Sequence, residues 1–232
     1  MYANFTMKTK RILQNFVVFE GGDASGTTTQ LEKLRNFFDS VDRNTAEINQ
    51  INQKNSSLPL LYDTFEPTDN SIGKLIRQGL KGEIPFNNKT IALLFAADRN
   101  EHIYGPGGIL ERCNRGELVV CDRFLFSSLV YQGITCGNDF PIMLNQDFPL
   151  PELLIFLDID PKIAQERMLK RSQKEIYENL DFQIKVRERY LALMKEYDSI
   201  CRIVIIDASK PVERVFDEVW SAIEKMPIFK EK

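Results

Sequence analysis

The sequence predicts an α/β fold in which five parallel β-strands form a sheet flanked by helices. Five short apolar runs, rich in β-branched and aromatic residues, alternate along the chain with longer segments of helical periodicity. A glycine-rich turn follows the first run and precedes the first helical segment, as in open parallel sheets. With 232 residues, 43% hydrophobic and 27% charged, the chain can bury a full core. We expect one domain over residues 1–232, with a short lid at about residues 170–178.

Each strand is predicted from a short apolar run, and each helix from apolar positions that recur on one face. The first run, Phe16-Val17-Val18-Phe19, suits a buried parallel strand, and Leu31, Leu34 and Phe38 share one face of the helix that follows. The predicted strands are residues 16–19, 60–65, 118–122, 153–157 and 203–207. The predicted helices include residues 30–38, 89–102, 161–170, 179–197 and 211–226. Ligands of such sheets bind beyond the carboxyl ends of the strands, which is where the unusual polar residues of this chain occur.

The glycine-rich turn has the spacing of a phosphate-binding loop. The pattern G-x-x-x-x-G-K-[ST] runs from Gly21 to Gly26 and on to Thr28, but Thr27 stands at the lysine position. Glycines let backbone N–H groups close around phosphate oxygens, and the hydroxyl of Thr28 suits a magnesium ion. The alternative is a plain glycine turn between a strand and a helix. The motif predicts a nucleotide site that lacks its usual cation.

Composition argues against several classes of partner. Thirty Lys and Arg residues against 33 Asp and Glu give a net charge of −3 and a pI near 5.4, so we expect neither nucleic acid nor a membrane as partner. The four cysteines are scattered without C-x-x-C spacing, which indicates small apolar residues in a reducing compartment, by default the cytoplasm. The single histidine, His102, is interpreted as an interfacial or capping side chain.

Two pairs of side chains point to nucleotide chemistry. Asp122 and Arg123 follow the third strand, where an arginine can grip a phosphate while the aspartate holds magnesium or its waters; the alternative is a surface salt bridge. Phe95 and Arg99 are four residues apart on one helix face and can form a nucleobase clamp; the alternative is simple packing.

A basic segment at residues 167–179 lies between two predicted helices. Its charge is typical of a lid that closes over phosphates, although taken alone it is equally typical of a solvated helix end.

Taken together, these segments resemble the thymidylate (dTMP) kinase family, a group of P-loop nucleoside monophosphate kinases. The resemblance covers nearly the whole chain, because several of the family's segments occur in the family's order. These segments are residues 19–30, 66–67, 72–77, 94–99, 122–133, 177–183 and 206–208. The resemblance implies phosphoryl transfer from ATP to dTMP, giving dTDP and ADP, with Mg²⁺ as cofactor. It also implies a homodimer.

The resemblance assigns the donor side of the reaction to the glycine-rich loop and the lid. The residues implied to bind ATP are Gly21, Gly22, Asp23, Ala24, Ser25, Gly26, Thr27, Thr28, Thr29 and Arg167. Thr28 and Asp122 are implied to attend Mg²⁺. The implied catalytic residues are Asp122, Arg123, Arg171 and Lys174, the last two being lid cations.

The acceptor side is assigned in the same way. Asp23 is implied to accept the sugar 3′-hydroxyl, Arg123 to hold the acceptor phosphate, and Tyr131 to crowd the sugar 2′ position. Phe95 is implied to stack on thymine, with Arg99 and Ser127 bonding the edge of the base. The remaining residues implied to bind dTMP are Phe65, Tyr177 and Gln183.

Two departures from the family pattern leave the function open at this point. Thr27 replaces the loop lysine, and Phe65 stands where many relatives of the family have an arginine that contacts the acceptor phosphate. One function is a working dTMP kinase in which Arg171 and Lys174, or a bound cation, replace the lysine. The alternatives are a nucleotide-binding protein with weak or no activity, and a kinase for another deoxynucleotide or a deoxynucleoside.

Overall fold

The computed structural model describes residues 11–49, 58–169 and 179–230. Its strands are β1 (Ile12–Gly21), β2 (Leu61–Phe65), β3 (Leu118–Asp122), β4 (Leu150–Asp158) and β5 (Arg202–Asp207). Its α-helices are α1 (Thr27–Asn49), α2 (Ser71–Leu80), α3 (Asn88–Tyr104), α4 (Ile109–Asn114), α5 (Leu125–Cys136), α6 (Asp139–Asn145), α7 (Pro161–Met168), α8 (Leu180–Tyr197) and α9 (Val212–Ile223). A short 3₁₀ helix at Pro227–Phe229 follows α9.

The five strands form one parallel sheet in the order β2-β3-β1-β4-β5. The predicted fold class is therefore confirmed. The chain runs from the central strand β1 to the edge strand β2, returns to β3 beside β1, and then crosses to the other side through β4 and β5. Such a reversal opens a crevice at the carboxyl ends of the central strands, and in parallel sheets this crevice is the usual place for a ligand.

Two apolar layers cover the two faces of the sheet. Successive side chains of a strand point to opposite faces, so Phe16 and Val18 of β1 pack in one layer and Val17 and Phe19 in the other. The first layer includes α5 and α8, and the second includes α1 and α9. All four β1 side chains are fully buried, which explains why this strand is a continuous apolar run.

Several helices begin at a residue whose side chain accepts a hydrogen bond from a backbone N–H group. Asn70 accepts from Gly73 at 2.9 Å at the start of α2, and Asn87 accepts from Thr90 at 2.9 Å at the start of α3. These two helices pack on each other through a small apolar cluster, and α3 thereby lies along one side of the crevice. In the part of the chain that the structure describes, each helix is too short or too polar to cross a membrane.

Candidate active site

A cavity of about 560 Å³ opens beyond the carboxyl ends of β1 and β3. Its volume lies within the range of small-molecule sites. Residues of the glycine-rich loop and of three helices, α2, α3 and α5, contribute to its wall. The lining residues are Asp23, Ala24, Gly26, Thr27, Thr28, Thr29, Glu66, Pro67, Arg77, Leu80, Phe95, Arg99, Arg123, Phe124, Ser127, Ser128, Tyr131, Gln132 and Met168.

The glycine-rich loop turns tightly between β1 and α1. A Cβ atom at Gly21 would lie 2.3 Å from the Ser25 hydroxyl oxygen, so this position has no room for a side chain. Gly26 has φ of +101°, a conformation that glycine adopts without steric cost. The helix α1 begins at the next residue, so its positive end points at the cavity. The loop therefore has the geometry of an anion-binding turn.

Thr27 and Thr28 occupy different environments at the start of α1. Thr27, at the lysine position, is 5% exposed and lines the cavity. The Thr28 hydroxyl donates to Asp122 Oδ2 at 2.6 Å, which joins the loop to the end of β3. Asp122 Oδ1 is buried and has no hydrogen-bond partner among the described residues. The structure thus brings together the two predicted magnesium residues and leaves one carboxylate oxygen unused.

Asp23, in the same glycine-rich loop, is the centre of a hydrogen-bond network beside the cavity. Its Oδ1 atom accepts from Arg123 at 2.7 Å and from the Tyr131 hydroxyl at 3.1 Å, and its Oδ2 atom accepts from Gln183 at 2.6 Å. Burial, reinforced by the charge of Asp23, raises the pKa of Tyr131 above its usual value, so the hydroxyl remains a donor. These contacts fix the Asp23 carboxylate before any ligand binds.

Glu20 supports this network from inside the sheet. Its carboxylate is completely buried and accepts from the backbone N–H groups of Phe124 and Ser127 at 2.9 and 3.1 Å. The hydroxyls of Ser127 and Tyr190 add bonds of 2.7 and 2.8 Å. Burial raises the pKa of Glu20, while the bond from Ser127 and the charge of Arg123 act in the opposite direction. Glu20 therefore holds the turn that carries Arg123.

Arg123 has a left-handed backbone conformation, with φ of 67°. This conformation is uncommon outside glycine and costs about 1–3 kcal/mol. It directs the side chain back over the loop, where Nη1 donates to the Gly21 carbonyl at 3.1 Å and Nη2 to Asp23. Arg123 also lines the cavity, so its guanidinium lies within reach of a ligand there.

Arg99 lies almost fully buried at the far wall of the cavity, with 1% of its surface exposed. Its Nε and Nη2 atoms donate to Glu66 Oε2 at 2.9 and 2.6 Å, and Nη2 also donates to Ser128 at 3.1 Å. Its Nη1 atom donates to Asn145. Four of the five guanidinium N–H groups are therefore used, and one N–H on Nη1 has no acceptor among the described residues.

Two further residues of this wall complement Arg99. Phe95 is partly exposed one helical turn before it and lines the same cavity. Gln132 is 2% exposed, and its side-chain carbonyl oxygen has no hydrogen-bond partner among the described residues. A buried acceptor without a donor is costly unless a ligand or water supplies one. The wall thus presents the aromatic ring of Phe95, a hydrogen-bond donor on Arg99 and an acceptor on Gln132.

Comparison with known proteins identifies this arrangement. The family model described as "Thymidylate kinase" matches residues 19–219, which is most of the chain. The chain belongs to the thymidylate kinase family. The resemblance drawn from the sequence is thereby confirmed.

Individual relatives agree with the family match. A protein of Treponema pallidum (strain Nichols), provisionally named as a thymidylate kinase, is 38% identical over 212 residues, or 90% of this chain and 94% of the relative. The thymidylate kinase of Geobacillus sp. (strain WCH70) is 37% identical over 219 residues, or 90% of this chain and 95% of the relative. A "Probable thymidylate kinase" of Methanococcus maripaludis (strain DSM 14266) is 38% identical over 227 residues, or 93% of this chain and 98% of the relative.

The structure places Phe65 and Gln183 differently from the sequence expectation. Phe65 is 39% exposed and is not among the described residues that line the cavity. Arg77 of α2 lines the cavity instead, with its guanidinium 5.7 Å from the Phe65 ring and held by the carbonyl oxygens of Pro67 and Thr68. Phe65 therefore contacts a cation of the wall, and its place beside the nucleoside stays a prediction.

Gln183 lies behind the wall, whereas Ser127 and Ser128 both belong to its surface. Gln183 is 3% exposed and lies behind Asp23, because its amide is used by that carboxylate. Ser127 lines the cavity, but its hydroxyl is bonded to Glu20 and Tyr190, whereas Ser128 is the serine beside Arg99. Ser128 is thus better placed than Ser127 to border a base.

His102 does not cap α3 but lies where that helix contacts β2 and the segment after it. It is only 8% exposed, and Gly105 caps the end of α3. The ring lies within hydrogen-bond distance of Glu66 and Thr64. Because these partners fold over α3 from β2 and the segment after it, the capping interpretation from the sequence is wrong.

The predicted cations of the donor side are described only in part. Arg167, near the end of α7, donates to the carbonyl oxygens of Ala24 at 3.3 Å and Ala208 at 2.9 Å, which places it against the glycine-rich loop. Arg171, Lys174 and Tyr177 lie outside the described residues, as does the predicted lid at residues 170–178.

Sequence reasoning assigned no site role to Glu20, Glu66, Ser128, Gln132, Asn145 and Tyr190, which all hold or complete the site. The first four lie in the segments that carry the family resemblance, and Glu20 had a further signal, since a carboxylate that directly follows a buried apolar run must find partners. The others are brought together from distant segments, such as Asn145 from α6 and Tyr190 from α8.

Proposed function

We propose that this protein transfers a phosphoryl group from ATP to dTMP, giving dTDP and ADP. The observation that supports this most is that one cavity joins a phosphate-binding turn to a wall with a ring, a donor and an acceptor. Membership of the thymidylate kinase family supports the same reaction and implies ATP as a substrate. Both substrates are anionic, so the protein must align them, neutralise charge and exclude water.

The base is recognised at the wall formed by Arg99, Phe95 and Gln132. The free Nη1–H of Arg99 donates to a carbonyl oxygen, and the Gln132 carbonyl accepts from an imide N–H. Thymine presents a carbonyl oxygen next to an N–H group, whereas cytosine presents an amino group next to a bare ring nitrogen. The pair of groups therefore favours thymine, and Phe95 supplies a face for stacking.

The sugar and the acceptor phosphate are held at the Asp23 network. Asp23 accepts three hydrogen bonds, which leaves about one lone-pair site for the 3′-hydroxyl of the sugar. Tyr131 crowds the 2′ position, and the guanidinium of Arg123 holds the acceptor phosphate. Arg77 offers a second cation at this wall, in place of the arginine that Phe65 replaces.

Thr28 and Asp122 fit a magnesium ion. Mg²⁺ is usually bound through one or two protein oxygens plus substrate phosphates, and the unused Oδ1 of Asp122 with the adjacent Thr28 hydroxyl provides such oxygens. When bound, Mg²⁺ would neutralise charge on the phosphate oxygens. Thr28 orients the Asp122 carboxylate by donating to its other oxygen.

The cation that the loop lacks at Thr27 is supplied from the lid in this proposal. Arg171 and Lys174 remain predictions from the sequence, as does Tyr177 at the nucleoside. Arg167 supports the proposal, because it already reaches the loop from the helix that leads to these residues.

A coupled assay tests the reaction directly. Purified protein with ATP, Mg²⁺ and each nucleoside monophosphate in turn should form ADP fastest with dTMP, and dTDP should be the product. Thr28→Ala removes the bond to Asp122 and should lower turnover about 10- to 100-fold, because groups that orient metal ligands have effects of this size.

The outcome of the assay also separates the alternatives. A wild-type rate no better than that of Thr28→Ala would support a nucleotide-binding protein without kinase activity, and a faster rate with another monophosphate would change the substrate. The family match favours neither of these alternatives.

Assembly and location are a separate part of the proposal. We propose a homodimer formed through α3 and α6, where Leu93, Ile142 and Met143 are 51%, 39% and 47% exposed although the two helices pack together. Light scattering at micromolar concentration should give twice the mass of one chain, and a monomer would contradict this. A cytoplasmic location and the exclusion of nucleic acid and membrane partners stay predictions from composition.

A further inference from the structure

The single histidine of the chain lies directly behind the wall that contains Arg99. His102 and Arg99 are three residues apart in α3 and so share one helix face. Arg99 lines the cavity, whereas His102 is not among the described residues that do so. His102 therefore contacts the site only through other side chains.

Glu66 connects the two residues. It is 5% exposed, and its two oxygens have different partners: Oε2 accepts from Arg99, and Oε1 lies 3.1 Å from His102 Nδ1. A buried carboxylate needs hydrogen bonds at both oxygens. Without a donor at Oε1, that oxygen would lack a hydrogen bond, so the Glu66 carboxylate would rotate toward other donors. Arg99, which is bonded to Oε2, would move with it.

The contacts of the ring determine which nitrogen carries the proton. A carboxylate paired with arginine can only accept, so Nδ1 must be protonated to bond Glu66. His102 Nε2 lies 2.7 Å from the Thr64 hydroxyl, which can donate to an unprotonated nitrogen. Both ring nitrogens are therefore engaged, with Nδ1–H donating to Glu66, and the ring is held between β2 and the segment that follows it.

The other contacts of Arg99 make its orientation decisive. The guanidinium lies 5.2 Å from the Phe124 ring and 5.9 Å from the Phe148 ring, and four of its N–H groups have acceptors. A small rotation of the guanidinium would leave a different N–H group unused and would change the hydrogen-bond donor that the wall presents to a base.

We propose that His102 is a positioning residue that fixes the base-reading orientation of Arg99 by donating its Nδ1–H to Glu66. This inference rests on the proposed function, because it assigns a role in recognising the dTMP base. It assigns selectivity to a residue that does not touch the nucleotide.

Two variants of nearly equal size separate positioning from support of the fold. In His102→Asn the side-chain amide keeps a donor near the place of Nδ1–H, whereas His102→Leu removes it. His102→Leu should raise KM for dTMP about tenfold or more and lower the preference for dTMP over dCMP, with KM for ATP unchanged. His102→Asn should keep both the KM for dTMP and the preference for dTMP over dCMP close to their wild-type values. If the two variants behave alike, or if His102→Leu stays within twofold of wild type in both quantities, the proposal is overturned.

A measurement on the wild-type protein keeps the test independent of variant folding. Since the chain contains one histidine, a sample labelled with ¹⁵N-histidine gives one pair of imidazole nitrogen resonances. The resonances should show the Nδ1–H form, and dTMP should shift them while ADP leaves them nearly unchanged. An Nε2–H form, or no response to dTMP that binds, would overturn the proposal. Failure of the wild-type protein to phosphorylate dTMP would instead count against the proposed reaction, and the protonated nitrogen would still be read from the same spectrum.

Discussion

The two sides of the cavity differ in how firmly they are fixed. We call Asp23, Arg123, Tyr131 and Gln183 the acceptor network, and Gly26, Thr27, Thr28 and Thr29 the donor turn. The side chains of the acceptor network are joined by hydrogen bonds of 2.6 to 3.1 Å, and buried Glu20 holds the turn that carries Arg123. The donor turn makes one short side-chain bond, from Thr28 to Asp122, and contributes no cationic side chain.

This difference separates two tasks of a phosphoryl-transfer site. Selectivity for the acceptor depends on polar groups that are set in place before binding, because a wrong substrate would leave such a buried group without a hydrogen-bond partner. Binding of the donor phosphates depends on backbone N–H groups and a helix end, which are indifferent to the rest of the nucleotide. We therefore expect the acceptor network to respond more strongly to substitution than the donor turn.

The largest effect is expected from the cation of the acceptor network. Arg123→Ala removes the guanidinium that holds the acceptor phosphate and leaves Asp23 without its ion pair. Turnover should fall about 10³-fold or more, which corresponds to about 4 kcal/mol in the barrier. The coupled assay at saturating ATP and dTMP measures this loss. Arg214→Ala is a suitable control, because Arg214 is 76% exposed on α9, and it should retain full turnover. A loss below tenfold for Arg123→Ala would remove the distinction between the two sides.

An intermediate effect is expected at Tyr131, where ring and hydroxyl have separable roles. Tyr131→Ala opens space at the sugar 2′ position and should lower the preference for dTMP over UMP, as a ratio of kcat/KM, about tenfold or more. Tyr131→Phe keeps the ring and loses only the bond to Asp23, so it should keep that preference while kcat/KM drops a few-fold. Unchanged discrimination in both variants would mean that the sugar is read elsewhere.

The smallest effect is expected where the sequence departs most from the motif. Thr27→Lys restores the usual cation, but the site takes its donor-side charge from elsewhere in our proposal, and Thr27 is 5% exposed and closely packed. Turnover should stay within about threefold of wild type in the same assay. Thr27→Met, of similar length and without charge, controls for the volume of the side chain. A gain above tenfold for Thr27→Lys alone would show that the donor turn is impaired rather than compensated.

The sequence predicted the central strands β3, β1 and β4 from runs that are almost fully buried, and the more exposed edge strands β2 and β5 from similar apolar runs. β3 has the predicted bounds, residues 118–122, and β1 extends beyond the predicted residues 16–19 at both ends, through residues 12–15 and through Glu20 and Gly21. The helix α1 was predicted to residue 38 and continues to Asn49. Its later turns are rich in polar residues, so apolar periodicity gives no signal there.

The candidate site was predictable where its residues are close in sequence. The glycine-rich loop follows β1, and the pair Asp122 and Arg123 lies at the end of β3. Most of the loop and Arg123 line one cavity, and Asp122 is bonded to Thr28 of that loop. The support behind them was not predictable, because Glu66 meets Arg99 across 33 positions and Tyr190 meets Glu20 across 170. Such partners leave no local pattern, and only the packing of α3, α6 and α8 on the sheet brings them together.

The left-handed backbone of Arg123 locates a compromise between stability and activity at a single residue. Glycine adopts a φ of 67° without steric cost and would relieve strain there, but it carries no guanidinium. Selection for stability alone would therefore remove the residue on which the acceptor phosphate depends. Directed evolution that selects for activity at high temperature should instead keep Arg123 and gain stability in the outer helices.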